Sequence, residues 1–188
     1  MTAVPILDKA SFRREAARRR VAAHAADPAA AAGLAAHGSA ALASRAFEVV
    51  AGYWPMRSEI DPRLLMERLL GRGVRLCLPV VVGPGPLEFR RWRPGDELAC
   101  GPLGTSHPSA GAEALEPDLL LVPLLAFDRR RHRLGYGAGH YDATLATLRA
   151  KRPVFAVGVA YAAQAVDAVP LDPWDEKLDL VVTEVGVF

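Results

Sequence analysis

The sequence predicts an α/β protein: a three-layer sandwich with a mostly parallel central sheet and helices on both faces. Two observations carry this expectation. Apolar, β-branched runs alternate along the chain with helix-forming segments. Three of those runs, at 74–82, 119–127 and 154–160, are almost continuously apolar, the pattern of strands covered on both faces. At 188 residues the chain is expected to form a single domain over 1–188, with a core large enough to need neither disulfide nor structural metal.

Residues 8–25 read as a first helix, capped by Asp8, with Phe12, Ala16 and Val21 as a thin apolar stripe. Arg13, Arg14, Arg18, Arg19 and Arg20 then form a solvated basic face. The Ala-rich stretch from Pro28 to about Ser44 has high helix propensity and predicts a second helix with a small-residue packing face. Residues 46–54 (AFEVVAGYW) are β-branched and aromatic, hence a strand. Asp61-Pro62 opens a third helix with Leu64, Leu65, Leu69 and Leu70 on its buried side, stopped by Gly71 and Gly73. After the strand at 74–82, Gly83-Pro84-Gly85-Pro86 turns the chain into a shorter strand at 87–92. Residues 93–117, with Gly and Pro throughout, are too long for a neutral connector and read as a lid or binding loop. The strand at 119–127, a loop, and a helix at 141–150 with Leu145 and Leu148 turned inward follow. A strand at 154–160, a short helix at 162–168 and a strand region at 178–188 complete the chain.

Composition narrows the function. Hydrophobic residues at 51% and charged ones at 23% are ordinary globular usage, against a disordered or fibrous protein. Twenty-three basic against 21 acidic residues leave a net charge of +2, too small a field for a nucleic-acid partner, so any anion is bound locally. Within that total stand 20 Arg and only 3 Lys (Lys9, Lys151, Lys177) beside 34 Ala, a bias that reads as GC-rich coding. The two cysteines, Cys77 and Cys100, make no disulfide framework or zinc site and suit a reducing, cytoplasmic setting. No run approaches the roughly 20 apolar residues of a membrane span, so no membrane partner is expected. The acid-poor, Arg- and Ala-rich opening has the look of a transit peptide, but Asp8 and Glu15 interrupt it and no apolar signal core follows, so it is read as part of the mature protein.

In sheets of this type ligands settle beyond the carboxyl ends of the strands, which singles out the loop after 119–127. It reads DRRRHRLGYGAGHYD over 128–142. Glycines at 135, 137 and 139 allow a tight backbone that turns successive N–H groups on an anion, at the positive end of the following helix. Such a loop is a phosphate cradle or a tight packing turn. Asp142 suits the helix dipole or a magnesium ion carried by phosphates. Neither the GxGxxG dinucleotide fingerprint nor a GxxxxGK[ST] loop is present. The arginines at 129–131 read as a solvated loop tip.

The segment LLLVPLLAFDRRRHRLGYGAGHYDATL closely resembles the signature of the 5-formyltetrahydrofolate cyclo-ligase family, also called methenyltetrahydrofolate synthetases: strand, proline, AFD, turn, then RLGYGGGYYD. The family's amino-terminal Lys and Arg four apart are matched by Lys9 and Arg13. Its E-I/V-D/N step after the first strand is matched by Glu59, Ile60 and Asp61, and its D-x-x-x-D before the last strand by Asp175 and Asp179. Order and spacing agree over nearly the whole chain.

The resemblance implies closure of 5-formyltetrahydrofolate to 5,10-methenyltetrahydrofolate. ATP activates the formyl oxygen, N10 closes on the activated carbon, and phosphate and ADP leave. It implies an ATP site of Lys9, Arg13, Arg133, Leu134, Gly135, Tyr136, Gly137, Ala138, Gly139, His140 and Tyr141, with Lys9 and Arg133 catalytic. Folate is expected at Trp54 and Glu59 and along Tyr136, Gly137, Ala138, Gly139 and His140, and Mg²⁺ at Asp142 and Asp175. The expected protein is a monomer whose partners are ATP and 5-formyltetrahydrofolate. Lys9 and Arg13, one helical turn apart, suit a clamp on one polyphosphate.

Two residues depart from the family pattern. Ala138 stands where many members have Gly or Lys, and His140 replaces the first Tyr of YYD, bringing a group that titrates near neutrality. Leu124 and Leu125 in VPLLAFD, against the usual VPGVAFD, are expected to alter packing only. The competing reading is a folate or phosphate-ligand binding protein of the same fold without turnover. A sugar phosphate isomerase on this scaffold would have no use for the Lys9 and Arg13 clamp.

Overall fold

The structure, a computed structural model, describes residues 9–188. The Asp8 cap lies outside the described residues. The described residues form four α-helices: α1 (Lys9–Ala26), α2 (Ala30–Ala41), α3 (Arg63–Leu70) and α4 (His140–Arg149). The central sheet contains β1 (Val49–Ala51), β2 (Arg75–Val80), β3 (Glu88–Arg91), β6 (Leu119–Pro123), β9 (Phe155–Val159) and β11 (Leu180–Val182). Two smaller sheets join β4 (Leu98–Cys100) to β5 (Ser106–Pro108), and β7 (Ala126–Asp128) to β8 (Arg133–Leu134) and β10 (Ala165–Val166).

The central order is β11-β9-β6-β1-β2-β3, parallel throughout except for the antiparallel β2–β3 pair. Parallel strands expose no face to water, which explains the apolar runs read in the sequence. On one face Leu34, Ala35 and Leu42, with Leu65, Met66 and Leu69 of α3, pack against Val50, Leu76, Leu119 and Val157. On the other, Leu145 and Leu148 of α4 pack against Val49, Cys77, Leu120, Ala156 and Val181. Helices therefore cover both faces of a mostly parallel sheet, the three-layer arrangement expected.

Asp61 Oδ1 accepts the Arg63 N–H at 2.9 Å, satisfying one orphan amide at the start of α3. The chain turns from β1 to β2 and β3 on one side, then returns to lay β6 on the other side of β1. That reversal opens a crevice beyond the carboxyl ends of β1 and β6, where α/β sheets bind ligands.

Several elements depart from expectation. The apolar run 119–127 is two strands, β6 and β7, in different sheets. The break at Leu124 and Leu125 is stabilised by Gln164, whose Nε2 donates to both carbonyls at 2.7 and 3.1 Å. Only 49–51 of the expected strand 46–54 is paired. The segment 93–117 carries the β4–β5 ribbon and an antiparallel bridge from Ala114 to Arg90. The expected helix at 162–168 is a single 3₁₀ turn, Ala162–Gln164, running into β10. In α1, Val21 is exposed and Arg20 is buried, the reverse of the expected stripe. No helix among the described residues is long and apolar enough to cross a membrane.

Candidate active site

Two segments leave the carboxyl edge at the β1–β6 crevice, and α1 lies over one of them. Ala16 of α1 packs with Leu125, Ala126, Leu134 and Val169 of the small β7–β8–β10 layer, bringing one face of α1 to the glycine loop. Positions 9, 13, 16 and 20 recur on that face, and Ala16 and Arg20 are its buried members.

Asp128 shapes the approach to the loop. It is fully buried, and its carboxylate accepts the backbone N–H groups of Arg130 at 2.9 Å, His132 at 3.2 Å and Val169 at 3.2 Å. Burial pushes its pKa up, but the Val169 and His132 amides with the His132 and Arg130 side chains together hold it below the ordinary aspartate value. The turn thus fixed delivers Arg133 to the site.

Arg133 is buried, and its guanidinium donates to Asp142 Oδ1 at 2.6 Å and to the Glu176 carbonyl. Burial lowers the guanidinium pKa, an effect that the Asp142 charge opposes. Asp142 Oδ1 also accepts the Glu176 N–H at 2.9 Å. Lys9 Nζ pairs with Asp172 and lies 3.4 Å from Asp175 Oδ2, which itself accepts the Asp172 N–H at 2.7 Å. Arg13 Nε donates to the Gly135 carbonyl at 3.1 Å. Arg13 and Arg133 thus flank the loop and Lys9 stands at Asp172 and Asp175, each cation already oriented by a protein oxygen.

In the loop, Gly137 has φ +105° and Gly139, at the N-cap of α4, has φ +71°. A Cβ at Gly137 would stand 3.3 Å from the Arg13 guanidinium carbon. Leu134 is buried, whereas Ala138 is exposed. His140 Nδ1 lies 2.8 Å from the Gly85 carbonyl oxygen and therefore carries the proton there, tying α4 to the 83–86 turn. Tyr141 packs against the α4-side core, and burial raises its hydroxyl pKa.

At the β1 end Glu59 is buried; Oε2 accepts the Met56 N–H at 2.9 Å and Oε1 accepts the Tyr136 hydroxyl. Burial raises its pKa, against the lowering effects of the Tyr136 hydroxyl, the Met56 amide and Arg20. Trp54 meets Trp92 edge-on at 5.9 Å between centroids, and the Arg63 guanidinium carbon lies 4.7 Å from its ring centroid. Tyr136 therefore joins the glycine loop to the β1 turn, while Lys9 and Asp175 gather at the far side with Arg133 and Asp142.

Among the described residues, no group of three or more His, Cys, Asp or Glu could hold a metal alone. Asp142 and Asp175 both act electrostatically on Arg133. As hard oxygen donors they suit magnesium, which binds through one or two carboxylates when phosphates complete its shell.

The profile of the 5-formyltetrahydrofolate cyclo-ligase family matches residues 6–184. The chain belongs to that family. It is 35% identical over 145 residues to the 5-formyltetrahydrofolate cyclo-ligase of Escherichia coli K12, covering 74% of this chain and 79% of that one. To the Mycolicibacterium smegmatis 5-formyltetrahydrofolate cyclo-ligase it is 37% identical over 142 residues, covering 71% and 72%. The Aquifex aeolicus 5,10-methenyltetrahydrofolate synthetase superposes with a TM-score of 0.70 at 29% identity, over 95% of this chain and 91% of that one. A Mycoplasma pneumoniae 5,10-methenyltetrahydrofolate synthetase, at 24% identity and a TM-score of 0.74 over 95% and 99%, shares the fold.

Sequence reasoning missed Arg20, Ser58, Asp128 and Asp172. Arg20 had a signal: it continues the 9, 13, 16 spacing along α1. Asp172 and Ser58 had none, because their partners lie 163 and 38 positions away.

Proposed function

We propose that this chain catalyses the ATP-dependent closure of 5-formyltetrahydrofolate to 5,10-methenyltetrahydrofolate, releasing ADP and phosphate, as a cytoplasmic monomer. Tyr136 carries the reading: one loop that offers amides and cations to a polyphosphate is hydrogen-bonded to a buried carboxylate suited to a pteridine. Phosphoryl transfer to the formyl oxygen requires the two ligands side by side.

In this reading Lys9 and Arg13 clamp the polyphosphate from α1, and Arg133 with the 134–141 backbone cradles it from the other side. The formyl oxygen attacks the γ-phosphorus, and the bond to the departing ADP oxygen breaks. Fixed positive groups stabilise the charge spread over the phosphoryl oxygens. N10 then attacks the formyl carbon and gives up its proton, and the C–O bond breaks to release inorganic phosphate. The oxygen lost from the formyl group is thus carried off by phosphate, so water need not be eliminated unaided. Glu59 accepts from the pteridine N–H groups, Trp54 offers an apolar face, and Tyr136 to His140 line both ligands. Asp142 and Asp175 would hold Mg²⁺, which when bound would neutralise phosphate charge.

The test mixes purified protein with 5-formyltetrahydrofolate, Mg²⁺ and ATP and follows the methenyl absorbance. Product that requires ATP supports the proposal. Tight folate binding without product would instead make the chain a binding protein.

A further inference from the structure

Arg20 takes no part in the phosphate clamp, yet it is the buried arginine of α1, its side chain 7% exposed against 76% for Arg18 and 50% for Arg19. A buried guanidinium is tolerated only when its donors and charge are met. Here Nε donates to Ser58 Oγ at 3.1 Å, and Nη1, itself 3.8 Å from Glu59 Oε1, donates to the Tyr136 hydroxyl. The guanidinium carbon also lies 5.4 Å from the Tyr136 ring centroid. Tyr136 in turn donates to Glu59. One side chain therefore touches three elements that are remote in sequence: its own helix, the turn after β1, and the glycine loop.

We propose that Arg20 is a positioning residue for the reaction: through Ser58 and Tyr136 it fixes the Glu59 carboxylate as the pteridine acceptor and holds the phosphate loop in register with it. This rests on Glu59 being a folate ligand. Each carboxylate oxygen has two acceptor positions. Tyr136 and the Met56 amide fill one on each oxygen, leaving the others for ring N–H groups. The titratable and charged groups facing Glu59 are Arg20 from α1, Tyr136 from the loop, Tyr53 from the end of β1 and Tyr141 from α4. Of these Arg20 supplies the positive charge. Burial already raises the Glu59 pKa and Arg20 opposes this, so removing the guanidinium shifts Glu59 protonation, and loss of the acceptor, to higher pH.

The experiment measures kcat and the KM for each substrate from about pH 5 to about pH 8 in wild type, Arg20→Gln, Arg20→Lys and Glu59→Gln. In Arg20→Gln the folate KM rises about tenfold at neutral pH, and the acid limb of kcat/KM for folate moves to higher pH. Arg20→Lys, keeping the charge without the fork, restores the position of the limb but only part of the KM. A wild-type folate KM and limb in Arg20→Gln, with only a lower melting temperature, would make Arg20 purely structural and overturn the proposal. Glu59→Gln separates the two readings. An unchanged folate KM there removes Glu59 as a ligand, whereas a defective Glu59→Gln beside an ordinary Arg20→Gln removes Arg20 alone. If Arg20→Gln does not fold, Ser58→Ala frees Nε without touching the charge. A folate KM raised several-fold with the limb unmoved supports the proposal, and an unchanged KM overturns it.

Discussion

Replacing Gly137 by alanine attacks the proposed phosphate cradle through its backbone. At φ +105° an L-residue is strained by about 1–3 kcal/mol. The added methyl would also stand 3.3 Å from the Arg13 guanidinium carbon and 3.5 Å from its Nε, the atom that donates to the Gly135 carbonyl. The loop must relax or Arg13 must move, and either change disorders the cradle. The surrounding layer, built on Asp128 and Leu134, is untouched. If the loop relaxes in the free enzyme and the strain returns on binding, the penalty falls on ATP. At about 1.4 kcal/mol per tenfold, about 1–3 kcal/mol corresponds to a KM for ATP raised about 5- to 150-fold. Steady-state kinetics with ATP varied at saturating folate read this directly. Gly186→Ala, where nothing lies within 4 Å of the added carbon, is the control for glycine replacement as such. A KM for ATP within about twofold of wild type would refute this account of the loop.

Lys9→Ala should lower kcat/KM for ATP by about 10- to 100-fold with the melting temperature little changed, since Lys9 is partly exposed. Asp142→Asn removes the counter-charge of the buried Arg133. A loss of about 3 kcal/mol, or a fall of about 6–12 °C in Tm by calorimetry, is expected, together with a higher Mg²⁺ requirement in the assay. Leu145→Ala, at a fully buried position, should cost about 2–5 kcal/mol in urea unfolding while leaving the KM values of the folded enzyme unchanged.

The layers were legible because burial on both faces of a parallel sheet leaves a plain mark: 74–82 and 154–160 each contain a central strand. The same mark misled at 119–127, since apolarity continues through Leu124 and Leu125 while the chain changes sheets. The carbonyls at that corner are met by Gln164, about 40 residues away, and no local pattern records this. In α1, Val21 was the natural choice for an inward residue and Arg20 for an outward one. The reversal depends on Ser58, Glu59 and Tyr136, which neutralise and hydrogen-bond the guanidinium only after the β1 turn and the loop have come together. The glycine loop, by contrast, stood out as a candidate because its glycines, flanking arginine and following helix are contiguous. His140 adds a contact that contiguity does not record: its Nδ1 meets the Gly85 carbonyl, 55 positions away.

The central claim is that phosphate leaves with the formyl oxygen. The direct measurement is turnover of 5-formyltetrahydrofolate labelled with oxygen-18 in the formyl group, with the released phosphate analysed by mass spectrometry. Transfer to the γ-phosphoryl group predicts one labelled oxygen in each phosphate formed with methenyl product. Unlabelled phosphate, with the label recovered in water, would contradict it.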